Sequence, residues 1–141
     1  MKEKVRIHLV TDIHYGPDVA VKKGESALWL LDGFVRRTNE IKPDLAVDLG
    51  DRISDVDRES DFLREQEVGR SFSDLDVPLR HILGNHDVVN LTPADNEKAL
   101  GARLASNSID IGGYRLIFWN ANTFIPYPDP CRGALRSDIE W

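Results

Sequence analysis

Short apolar runs alternate with amphipathic stretches along the first two thirds of the chain. Residues 5–11 carry Val5, Ile7, Leu9 and Val10 and stop at Asp12. Their β-branched content and the Gly16-Pro17 breaker beyond them predict a buried strand. Leu28, Leu31, Val35 and Thr38 then recur at helical spacing, with Leu30 and Phe34 beside them. Ser26 is placed to cap this helix and Pro43 to end it. Residues 45–49 form a second apolar run, stopped by Gly50-Asp51. A polar stretch leads into a helix predicted over 62–75, with Val68, Phe72 and Leu75 on one face. Residues 79–83 make a third strand, stopped by Gly84-Asn85. Strands alternating with helices predict parallel pairing with helices on the sheet faces, and so an α/β fold. All three strands end in turns bearing carboxylate, imidazole or amide groups, where open parallel sheets bind their ligands.

Beyond Val89 the pattern changes. Thr92-Pro93 opens a short helix predicted to run to about Leu104, with Thr92 as N-cap. Residues 108–111 and 114–119 flank Gly112-Gly113, a hairpin signal because that turn needs positive φ at both positions. Residues 120–133 carry three prolines and read as a long loop. Ser137 and Glu140 form a capping box, the start of a helix for which only Trp141 remains. The natural sequence is therefore expected to continue.

Composition narrows the class. With 141 residues, 41% hydrophobic and 30% charged, the chain suits one soluble domain spanning residues 1–141. It lacks an apolar run of the ~18 residues that a membrane helix requires. Its first residues are too charged for a signal peptide, which places the protein in the cytoplasm. The net charge of −6 argues against a nucleic-acid binder that works by charge. Cys131 is the one cysteine, which excludes an intrachain disulfide and a cysteine zinc cage.

Three strand-end clusters stand out: Asp12-Ile13-His14, Gly50-Asp51 and Gly84-Asn85-His86-Asp87. In this order they resemble the calcineurin-like metallophosphoesterases, whose pattern is Asp-x-His, Gly-Asp-x-x-Asp and Gly-Asn-His-Asp or Glu. Ser54 stands at the last position of the second element, with Asp55 next to it. The family pattern goes on to a further His and a Gly-His-x-His, and no histidine follows His86 in this sequence. The resemblance thus implies the amino-terminal part of a β-sandwich with flanking helices, incomplete at the carboxy terminus, supplying mainly one sheet and its helices.

The resemblance also implies chemistry. It gives a metal-dependent phosphoesterase that hydrolyses phosphomonoesters or phosphodiesters, cyclic nucleotides and nucleotide derivatives among them, with two divalent cations. Asp12 and His14 would bind one cation, Asn85 the other, and Asp51 would bridge them. His86 would contact the phosphate and protonate the leaving oxygen, with Asp87 orienting its ring. Mixed oxygen and nitrogen donors suit manganese, iron or zinc. Without the later histidines, loose metal binding and weak catalysis are expected of this chain alone.

A second reading is a metal-binding but inactive half-domain, or an interaction scaffold on the same fold, as in the retromer subunit that resembles these enzymes. Retention of His86 and Asp87 favours the enzyme. An exposed sheet face or edge at residues 109–111 and 116–119 would also let copies associate into a homo-oligomer. Elsewhere, His8 and His81 read as structural strand residues and Asp48 as a polar strand position, with support of the site as its alternative. Asp55, Asp57, Asp61 and Glu65 read as a solvated loop and helix start, and Trp29 as core.

Overall fold

The computed structural model describes residues 4–120. Three short strands form one parallel sheet: β1 (Ile7–Val10), β2 (Leu45–Asp48) and β3 (Leu79–His81), in the order β1-β2-β3. The register aligns Val10 with Asp48 and Asp48 with His81, so all three strands end at one edge. Helix α1 (Ala27–Ile41) joins β1 to β2, and α2 (Arg58–Ser73) joins β2 to β3. Helix α3 (Pro93–Leu100) follows, and then an antiparallel hairpin of β4 (Asn107–Ile111) and β5 (Tyr114–Phe118).

The two faces of the parallel sheet are covered differently. Leu31 of α1 packs with Val68 and Phe72 of α2 against Val10 and Leu79. On the opposite face, Phe118, Ile109 and Leu116 of the hairpin pack against Leu45, Val47, Ile7 and Ile82. Strand β2 is therefore buried along its whole length, as its continuous apolar run requires. The hairpin lies over the sheet as a second layer, so these residues supply more than one sheet and its helices. No helix among the described residues is long and apolar enough to cross a membrane.

Local chemistry sets the element ends. Helix α1 is preceded by a 3-10 turn (Gly24–Ser26), and the Ser26 side chain makes no capping bond. It ends on Lys42 in the left-handed region, just before Pro43. Helix α2 begins a turn earlier than its apolar spacing predicts, because the Asp57 carboxylate accepts from the Ser60 amide. Thr92 and Asp95 form a capping box on α3, which stops at Leu100 because Gly101 turns left-handed. Gly112 and Gly113 take the positive φ values the hairpin turn needs.

Several expected environments are reversed. Trp29 is 70% exposed on the outer face of α1, where no second layer among the described residues covers it. Asp61 and Glu65, expected to be solvated, are fully buried. Their helix packs that side against the loops after β2 and β3, where Arg52, Val56 and Asn90 supply partners. Asp48 is also fully buried and pairs with both Arg52 and His81. His8 and His81 are structural, as expected. His8 bonds Thr38 of α1, and His81 packs edge-on against Phe72 of α2. Cys131, the proline-rich loop and the capping box at Ser137 lie outside the described residues.

Candidate metal centre

The strand-end turns converge. One donor atom each from His14, Asp51 and His86 lies within 4.8 Å of the others. The rings of His14 and His86 meet edge to face, with centroids 4.7 Å apart. Asp12 joins them, its Oδ1 3.5 Å from His14 Nε2. Asn85 is exposed beside them and opens the 3-10 turn His86–Val88.

This convergence takes unusual backbone. Asp12, His14 and Asp51 all have positive φ, at 55°, 48° and 57°. Left-handed backbone is uncommon away from glycine and tends to be held in place at functional sites. Main-chain bonds hold it here: the Asp12 amide donates to Gly50 O, and the His14 amide to Asp51 O. Glycine permits the closest approach. A Cβ on Gly50 would lie 2.1 Å from the Gly84 nitrogen, and one on Gly84 would lie 2.1 Å from Asp51 Oδ1. The loops after β2 and β3 thus interlock, and the His86 amide donates to Asp51 Oδ1 at 2.9 Å.

Below the turns lies a buried charge network. Arg52, fully buried, reaches Asp48 at 2.7 Å, Glu65 at 2.6 Å and Asp87 at 3.1 Å. Burial favours the neutral guanidine, but the three carboxylates outweigh it and raise the Arg52 pKa. Burial also drives Asp48 upward, yet Arg52 and His81 hold it below the usual carboxylate range. Burial prevails at Glu65, which Arg52 only partly offsets and whose pKa is raised to about 7. Asp48 also accepts from the Gly50 amide at 3.0 Å, so this strand residue supports the turn that presents Asp51.

Asp87 takes a different place from the one expected. Its carboxylate accepts from the amides of Gly84, Asp51 and Arg52 and faces the Arg52 guanidinium. The acid on the His86 ring is Asp55, whose Oδ1 meets His86 Nδ1. Asp55 lies just past the end of the Gly-Asp turn, and that offset placed it among solvated acids. Partial burial raises its pKa, but the hydrogen bond from His86 and a main-chain amide win and keep it low. An ionised carboxylate only accepts, so the proton of this pair sits on Nδ1. Arg52 carries no such sequence signal, since a single arginine after Gly-Asp has an ordinary reading at the surface.

The residues fit a cation. His14 Nδ1 is buried without a hydrogen-bond partner among the described residues, an arrangement that is unfavourable unless something else satisfies it. Carboxylate and imidazole donors with a neighbouring amide are a donor set for divalent transition metals.

No curated protein sequence matches this chain. A solved structure of a dimetal phosphatase from Danio rerio is similar in fold, with a TM-score of 0.58 and 18% identity. That likeness covers 67% of this chain and 33% of the other, so the chain spans about a third of its length. The sequence profile of the calcineurin-like phosphoesterases matches residues 5–134. Nearly the whole sequence falls within that match, and the chain belongs to the calcineurin-like phosphoesterase family.

Proposed function

We propose that the protein is a metal-dependent phosphoesterase acting on small phosphomonoesters or phosphodiesters. The gathering of His14, Asp51 and His86 where three parallel strands end carries this reading, with a buried His14 nitrogen left for a ligand. Asp12, His14 and Asp51 would hold one divalent cation, and Asp51 with Asn85 a second. Bound there, such cations neutralise phosphoryl charge and make water nucleophilic near neutral pH. Asp55 would fix the His86 ring through Nδ1, so that in the doubly protonated ring the other nitrogen could give its proton to the leaving oxygen. Among the described residues the second cation would have fewer protein donors than the first, so it would bind more loosely and turnover would be slow.

Isothermal titration with manganese tests the site, and hydrolysis of a chromogenic phosphodiester and phosphomonoester tests the activity. Wild type binds manganese and Asp51→Ala does not. Hydrolysis requires the metal and falls about 100-fold or more in Asp51→Asn. Equal manganese binding by wild type and Asp51→Ala would overturn the site. Metal binding without hydrolysis of either ester would favour a scaffold.

A further inference from the structure

We propose that Asp87 is a positioning residue whose carboxylate holds the Asp51 turn and the Asn85 turn at the separation that two cations sharing Asp51 require. The inference rests on the metal-centre reading above and assigns a role to a buried acid that does not touch the His86 ring.

The geometry is that of a clamp across two loops. Asp87 Oδ2 accepts from the Asp51 amide at 3.0 Å and from the Gly84 amide at 2.8 Å. Asp87 Oδ1 accepts from the Arg52 amide at 2.8 Å. One carboxylate thus ties main chain on both sides of the gap, and Arg52 Nη2 balances its charge at 3.1 Å. Asn96 of α3, also fully buried, donates to the Asp87 carbonyl at 2.8 Å and accepts from Arg52 at 3.3 Å. The clamp is therefore anchored to a helix as well as to the loops.

The interlock makes its position consequential. Gly84 sits so close to Asp51 that the space of one methyl group is already taken. Little slack exists between the loops, and a shift of either moves Asp51 relative to Asn85. Partners of this kind, one step removed from a metal, typically contribute 10- to 100-fold to metal affinity. Asp87→Asn would keep one acceptor oxygen, turn an NH2 group toward the amide donors on the other side of the clamp, and leave Arg52 with one acid fewer.

Two measurements test this on the full chain: manganese titration, and amide hydrogen exchange without metal. Asp87→Asn is expected to weaken manganese binding about 10- to 100-fold with an unchanged far-ultraviolet spectrum. The amides of Gly84, Asp51 and Arg52 should exchange faster. Glu65→Gln changes another partner of the same guanidinium without touching either turn, and should bind manganese within about threefold of wild type. Should Asp87→Asn not fold, Asp87→Glu keeps the charge but extends the clamp by one methylene, and should weaken binding about tenfold. Wild-type affinity in the folded Asp87 variant would overturn the assignment, as would equal losses at Asp87 and Glu65. If wild type binds no manganese while the three amides still lose protection in Asp87→Asn, the metal-centre reading fails and this role with it. If the metal binds and the Asp87 variants behave as expected but no ester is cleaved, only the phosphoesterase reading fails.

Discussion

His86 is bonded through Nδ1 to Asp55 and not to Asp87, its neighbour in the chain. The ring is thereby tethered to the loop after β2, from across the site. Asp55→Asn should lower kcat for a phosphodiester by about tenfold or more while leaving manganese affinity near wild type, because the tether serves the proton donor and not the cations. Steady-state kinetics beside a metal titration check this. An unchanged kcat would remove Asp55 from the reaction.

Glu65 makes stability depend on pH. Its folded pKa of about 7 lies above the ~4.3 of an exposed glutamate, so the native state favours the protonated form. Its contribution is therefore complete below about pH 4 and is lost as pH rises through about 7. Glu65→Gln mimics the protonated acid. In urea unfolding without metal, this variant should gain on wild type between about pH 5 and pH 8, by a few kcal/mol at most. A constant difference across that range would contradict the assignment.

Two glycines should respond in opposite ways. Gly84→Ala would force a methyl group against Asp51, so manganese binding should be lost and unfolding should occur at lower denaturant. Gly33, within α1, has nothing within 4 Å of an added Cβ. Gly33→Ala should stabilise the protein by about 0.5–1 kcal/mol, since alanine loses less backbone entropy in a helix.

Asp12 offers a trade between stability and binding. Its φ of 55° is strained for a side chain, and the residue is largely exposed. Asp12→Gly should raise the metal-free stability by up to about 1 kcal/mol and weaken manganese binding. Urea unfolding and titration of one preparation check both effects.

The alternating elements were legible because strand and helix periods differ, and Gly50, Gly84 and Gly112-Gly113 punctuate them plainly. The metal-type residues were legible for a related reason: each lies just past a strand, and parallel strands bring such turns to one edge. Burial of charge was not. Asp48 has an ordinary reading as a polar strand position and Arg52, Asp61 and Glu65 at the surface, and only the packing of α2 over the loops after β2 and β3 brings them together. The partner of His86 was missed because the resemblance assigns that ring to Asp87, whereas the 3-10 turn sends that carboxylate inward to the Asp51 and Arg52 amides. Trp29 keeps helical spacing with core residues but lies on the side of α1 that no described residue covers.

The clamp between Asp87 and the Asp51 turn joins amides and carboxylate 35 and 36 residues apart. Contacts so distant along the chain close only after the β2–α2–β3 crossover has formed, because loop-closure entropy opposes them until then. The cation site is therefore expected to be completed late, on the native side of the folding barrier. A metal that recognises only the finished site cannot lower that barrier from the unfolded side. Manganese should leave the refolding rate unchanged and slow unfolding, so that its whole stabilising effect appears in one limb of the chevron.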